Sequence, residues 1–508
     1  MVFRFLILLL FLISGFTGLV YEVVWTRIFG LVFGNTTLAI STVLSAYMFG
    51  LAAGSRYLGR IAGRSRNHLK MYALLEGGVG IFAVMVILLM NPINSLIAVL
   101  HPVLLSSPFW YFLIKFAIAF LVMFPATFLM GGTLPVLSYV YIHNKQRLGG
   151  GVGALYSINT LGAVAGTLFT AFFLIRTLGV RWTVFLAVAM NLLIAGLSFA
   201  LAAFRPSASQ ILTTPEKSSQ RISSGEMTIL LAAAVSGFTA LAYEVLWSRV
   251  LVFLMTNSVY AFAVILATFL SGIAIGSFLG GKVVDRVKNP RKLFGWIQLI
   301  LGVCALAATV LLIRAPLFQQ QFLQLTPTTT WLQLNLFRFF LAFTILLLPT
   351  VLLGASFPVA AKILLPDLSN LGRELGNLYF FNTLGSVLGS FLTGFLFISW
   401  LGTATTIFLM VILNLAVGGY LLMFKDQRIA LKSYAYGAVI LLILAASTVA
   451  APKNIFRVNY SSVETGYPLV DYREGIEGTV TVHQAKLPMM QHKRIDVDGL
   501  NVAGNSFM

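Results

Sequence analysis

Residues 15–27 read Gly15-Phe16-Thr17-Gly18-Leu19-Val20-Tyr21-Glu22-Val23-Val24-Trp25-Thr26-Arg27. Residues 237–249 read Gly237-Phe238-Thr239-Ala240-Leu241-Ala242-Tyr243-Glu244-Val245-Leu246-Trp247-Ser248-Arg249. The second stretch is the first written again. At the same offset Asn35 meets Asn257, Gly50 meets Gly272 and Gly54 meets Gly276. Further on, Gly153, Tyr156, Asn159, Thr160, Leu161, Gly162 and Gly166 meet Gly376, Tyr379, Asn382, Thr383, Leu384, Gly385 and Gly389. Agreement of this extent is an internal duplication, and the fold must be one that can be built twice.

What is duplicated is membrane-spanning. Of 508 residues, 59% are hydrophobic and 10% charged, where a soluble chain carries about a quarter charged. The apolar runs are of roughly 20 residues, the length that crosses a bilayer as helix. Helix is required because lipid offers the backbone no hydrogen-bond partner, and the short alternating segments of a β-barrel are missing. The runs fall at 4–32, 37–58, 71–90, 111–140, 152–176 and 182–203, then at 228–254, 258–281, 293–313, 333–361, 375–399 and 403–424. A thirteenth covers 434–451, and a weaker stretch at 93–105, with Pro92 and Pro102, reads as interfacial. The expected fold is an all-α polytopic membrane protein of two six-helix repeats, one further helix and a short C-terminal β-hairpin tail. Its parts are a first repeat at 1–204, a linker at 205–227, a second repeat at 228–424, the thirteenth helix, and a polar tail at 452–508. An even number of crossings gives both repeats the same orientation, so they form a parallel pair about the membrane normal.

The net charge of +19 follows the loops. Arg56, Arg60, Arg64, Arg66 and Lys70 crowd the loop after helix 2, and Lys282, Arg286, Lys288, Arg291 and Lys292 crowd its counterpart after helix 8. Basic residues in every second loop are the positive-inside pattern, not the footprint of a nucleic-acid binder. The N-terminus is therefore expected in the cytoplasm of a cell with an inner membrane, and the tail beyond helix 13 outside it. Cys304 is the only cysteine, and the five histidines lack metal-ligand spacing, so neither a disulfide nor a metal site is expected.

Acids within lipid are costly, and are functional or paired. Glu22 and Glu244, each preceded by a tyrosine and followed by a tryptophan (Tyr21, Trp25; Tyr243, Trp247), support two readings. One is a two-fold acidic site for a small cationic ligand between the repeats. The other is a clamp in which Arg27 and Arg249 pair with the acids and pin the helix ends. Five-residue spacing is poor for an ion pair on one helix face. Glu76 is a third acid at membrane depth, and Gln298 takes its place in the second repeat. Asn159 and Asn382 lie mid-helix, each one turn after a tyrosine, where interhelical hydrogen bonding accounts for them. The small-xxx-small glycine pairs at Gly50/Gly54, Gly162/Gly166, Gly272/Gly276 and Gly385/Gly389 mark close helix packing. Pro125 and Pro349 break one backbone bond each in helices 4 and 10.

After helix 8 the chain reads Gly281-Lys282-Val283-Val284-Asp285-Arg286, then Arg291-Lys292. This resembles the loop signature of the major facilitator superfamily, in the position where that family carries it. The first copy, Gly59 to Arg64, lacks the acid. In the tail, Gly478 to His483 favours a strand, and Ile495 to Val502 holds an Asp498-Gly499 turn and a second strand, while Asp471, Glu474 and Glu477 read as solvated charges. The tail resembles the N-terminal β-region of spermidine synthases. Taken with the duplicated bundle, the chain resembles the fused major facilitator/spermidine synthase membrane proteins. That resemblance implies aminopropyl transfer on an appended or partner transferase domain. These 508 residues contain no Gly-rich nucleotide loop or catalytic aspartate of that kind, so no cofactor is expected in this chain. The functional expectation is a membrane portion that binds or moves a small, polyamine-like substrate. The alternatives are a stand-alone major-facilitator-like secondary transporter and a non-transporting scaffold.

Overall fold

The computed structural model describes residues 2–33, 37–104, 108–204, 223–255, 259–365, 368, 370–423, 468–475, 479–486, 491–497 and 500–504. The first repeat contributes α1 (Val2–Phe33), α2 (Thr37–Ala62), α3 (His68–Leu104), α4 (Pro108–Tyr141), α5 (Leu148–Phe169) and α6 (Ile175–Phe204). The second contributes α7 (Ser224–Met255), α8 (Val259–Val284), α9 (Pro290–Leu325), α10 (Trp331–Leu364), α11 (Leu371–Leu392) and α12 (Ile398–Met423). At 32 residues, α1 is about 48 Å long, more than enough to cross hydrocarbon. The outward faces are apolar. Leu74, Ile81 and Leu88 form a stripe at seven-residue spacing on α3, each about two-thirds exposed. A soluble helix would place charge there, and lipid alone makes that exposure inexpensive.

Two expectations change. The stretch at 93–105 is not a separate interfacial piece: α3 continues through Pro92 to Leu104. Met90 and Ile93 are buried in the core of the first repeat, so tertiary packing holds the helix across the proline. The tail is likewise more than a hairpin. It is a four-stranded antiparallel sheet in the order β1 (Leu469–Glu474), β2 (Thr479–Lys486), β3 (Gln491–Val497) and β4 (Leu500–Gly504). β1 was hidden by its charges, since Asp471, Arg473 and Glu474 mask the period-2 pattern. Asn35, Asn257, the thirteenth apolar run and most of the linker lie outside the described residues.

Within each repeat, glycine lets backbones touch. A Cβ at Gly15 would collide with the Asn159 carbonyl, and one at Gly237 with the Asn382 carbonyl. Gly162 and Gly385 lie equally close to the carbonyls of Leu12 and Ala234. These contacts bind α1 to α5 and α7 to α11. The two asparagines complete the same seams: Asn159 Nδ2 donates to the Phe11 carbonyl and Asn382 Nδ2 to that of Ala233, each at 3.1 Å. A π-turn follows α5 at Thr170–Leu174 and α11 at Thr393–Phe397. Beyond each, Gly179 (φ 74°) and Gly402 (φ 78°) kink the chain in a conformation that favours glycine.

The repeats meet along α2–α11 and α5–α8, seams that the duplication exchanges. At the basic end both are closed by glycine. A Cβ at Gly59 would strike Gly372 and one at Gly281 would strike Gly149, in each case at the carbonyl. Asp285 locks the second seam. Its Oδ1 accepts from Gly149 N at 3.0 Å and its Oδ2 from Gly150 N at 2.7 Å. Lys362 Nζ of α10 stands 2.7 Å from Oδ1. The acid of the loop signature thus ties the second repeat to the first turn of α5.

Candidate functional site

The duplicated motif divides its side chains by helix phase. Tyr21 and Trp25, four residues apart, share one face of α1 and are fully buried in the core of their own repeat. Their rings stack with centroids 5.4 Å apart. Tyr243 and Trp247 do the same in α7, at 4.8 Å. Glu22 and Glu244 lie one residue further round, off that stacked face. Glu22 is 5% exposed and Glu244 half-buried.

Tyr47 of α2 reaches α1 here, its hydroxyl donating at 2.9 Å to the carbonyl of Gly18, one turn before Glu22. Neither acid forms a hydrogen bond or ion pair with another described residue. A carboxylate without a partner in a poorly screened interior calls for a cation or a proton.

The clamp is not formed. Arg27 is exposed, and five residues place it about 140° round the helix from Glu22. Arg249 instead reaches the tail, with Nη2 donating to the Gly475 carbonyl at 2.8 Å and to Thr479 Oγ1 at 3.2 Å. Glu474 is not solvated either. Its Oε2 accepts from Thr403 N at 2.8 Å and from Thr403 Oγ1 at 2.6 Å, capping α12 just past its kink.

Glu76 joins a separate polar network. Its Oε1 accepts from Ser14 Oγ and its Oε2 from Asn191 Nδ2, both at 2.6 Å, and it is 1% exposed. Tyr21 donates its hydroxyl to Asn191 Oδ1 at 2.7 Å. The second repeat keeps this framework without the acid. Asn414 Nδ2 donates to Tyr243 at 3.0 Å, and Gln298 Nε2 donates to Ser236 and Ser356 at 3.2 and 3.0 Å. The structure therefore places Glu22 and Glu244 at equivalent positions of the two repeats and Glu76 inside one repeat, with both its oxygens engaged. Trp247 Nε1 donates to Thr309 Oγ1 at 2.9 Å, while buried Trp25 Nε1 has no partner among the described residues. Asn191, Asn414 and Tyr47 were not singled out in the sequence. The first two could have been, since they align with each other across the duplication.

This architecture is a major-facilitator-type fold, two parallel six-helix halves with a small C-terminal sheet. Two solved structures share it. One is a bacterial homologue of the iron transporter ferroportin in an outward-facing state, with a TM-score of 0.54, 11% identity, and coverage of 84% of this chain and 99% of that one. The other is the proton:xylose symporter XylE bound to 6-bromo-6-deoxy-D-glucose, with a TM-score of 0.51, 14% identity, and coverage of 83% and 96%. At such identities the likeness concerns the fold. No family model matches the chain. In sequence it resembles polyamine aminopropyltransferase 1 of Streptomyces coelicolor, at 25% identity over 179 residues. That stretch is 35% of this chain and only 30% of the relative's length.

Proposed function

We propose that the two halves bind a small cationic, polyamine-like molecule between Glu22 and Glu244 and move it by alternating access. The observation that carries this reading is one acid at the equivalent position of each repeat, Glu22 at 5% exposure and Glu244 half-buried, neither with a counter-ion among the described residues. A molecule with two ammonium groups answers both charges. Tyr47 adds a hydroxyl on the turn of α1 that precedes Glu22. The seams closed at the basic end favour entry from the opposite end.

The partial likeness to a polyamine aminopropyltransferase supports the same substrate class and a role beside transferase chemistry on the tail side. The basic loops support a cytoplasmic-membrane location with the N-terminus in the cytoplasm. The tail sheet then lies outside, because Glu474 meets the start of α12 while the basic loops flank its end.

Calorimetry on purified protein with spermidine and putrescine, followed by uptake into proteoliposomes, tests the proposal. Binding should weaken about tenfold in Glu22→Gln and in Glu244→Gln, the loss of one charge-assisted contact each. Unchanged binding in both variants would sink the site. Binding without flux would replace transport with presentation to a transferase, and absence of both would leave a scaffold.

A further inference from the structure

A pocket of about 730 Å³ opens at the basic end, on the line where the repeats meet. Four cations stand on its wall: Arg4 and Arg147 from the first repeat, Lys282 and Arg286 from the second. Among the described residues none of the four forms an ion pair. The acid on the same wall, Asp285, is already engaged by Lys362 and by the Gly149 and Gly150 amides. The pocket therefore holds several positive charges and no free negative one.

Its wall is also partly apolar. Lys282 Nζ lies 3.9 Å above the Phe278 ring centroid, and the Arg4 guanidinium 5.9 Å from that of Tyr141. Phe278, on the same wall, is 42% exposed. Positive-inside topology explains cations in these loops, but not their convergence on a concave site shared by both repeats.

We propose that this pocket binds a phosphate group, from a lipid headgroup or a soluble phosphate ester, and that the bound anion braces the two repeats together at the basic end. Arginine pairs dock phosphate through parallel N–H bonds. An anion touching Arg147 and Arg286 at once would add a contact across the α5–α8 seam that exists only while that seam is closed.

The test uses the full chain in mild detergent. Native mass spectrometry would follow adducts of phosphatidylglycerol against phosphatidylcholine, and thermal unfolding would be recorded with and without inorganic phosphate. Phosphatidylglycerol should bind in preference and raise the unfolding temperature. Arg147→Gln/Arg286→Gln should weaken that binding at least about tenfold. Arg64→Gln/Lys288→Gln, basic residues outside the pocket, should not. Displacement of the lipid by inorganic phosphate would assign the site to a soluble ester, and retention would assign it to the headgroup. The proposal is overturned if neither probe binds, if the pocket variant binds as the parent does, or if both variants lose binding equally. Unfolding temperatures of the ligand-free variants separate lost binding from lost folding.

Discussion

Asn191 Nδ2 lies 2.6 Å from Glu76 Oε2, and the same asparagine accepts the Tyr21 hydroxyl through its other end. One amide thus fixes a buried acid of α3 and the aromatic face of α1 from α6. Removing it leaves a carboxylate oxygen without its donor in a medium that solvates poorly. Asn191→Ala should cost about 3 kcal/mol, read as a lower unfolding temperature in detergent. Asn414→Ala should cost about 1 kcal/mol, because its side-chain partners are the neutral hydroxyls of Tyr243 and Thr239.

Trp247 and Trp25 differ by one partner. Trp247→Phe should lose about 1 kcal/mol with its bond to Thr309, whereas Trp25→Phe removes a donor that has none. Ile87 occupies the position in α3 that Thr309 occupies in α9. Ile87→Thr should therefore offer Trp25 an acceptor and offset most of the lost apolar contact. Unfolding of the three single variants against the parent checks the order.

The glycines separate into those that touch a backbone and those that do not. Gly162→Ala and Gly385→Ala drive a methyl into the Leu12 and Ala234 carbonyls, and should lower yield and unfolding temperature sharply. Gly196→Ala meets nothing within 4 Å and should be neutral or stabilising by up to about 1 kcal/mol.

Asp285 should govern how tightly the basic end stays shut. Asp285→Asn loses the charge facing Lys362 and weakens two backbone contacts to α5. A cysteine placed at Val284, fully buried with its side chain against Gly149 across that seam, should react several-fold faster with maleimide in the Asp285→Asn background. An unchanged rate would mean that the glycine contacts alone hold the seam.

Much of the bundle was legible because lipid leaves the backbone few choices. The repeat announced itself in Tyr21-Glu22 and Tyr243-Glu244, and the close-packing glycines lay where small-xxx-small spacing placed them. Helix length at α3 was not legible, since Pro92 looks like an ending until Met90 and Ile93 are seen packed. The partner of Arg249 was not legible either: Gly475 and Thr479 are more than 200 residues away in sequence. Spacing could exclude a same-face pair with Glu244, but it could not supply the alternative. Glu76 shows the limit for acids, because depth in the membrane is read from sequence while the donors that occupy it are not.

Arg249 and Thr403 fasten the tail sheet to α7 and α12, both in the second repeat. A rocking of one half against the other would carry the sheet like a pointer on a dial. Arg249 lies just over one turn from Glu244, so the sheet is tied close to one of the two acids. Paired spin labels, one on exposed Val480 of the sheet and one on the first repeat, would convert that swing into a distance and let the tail report on the state of the bundle.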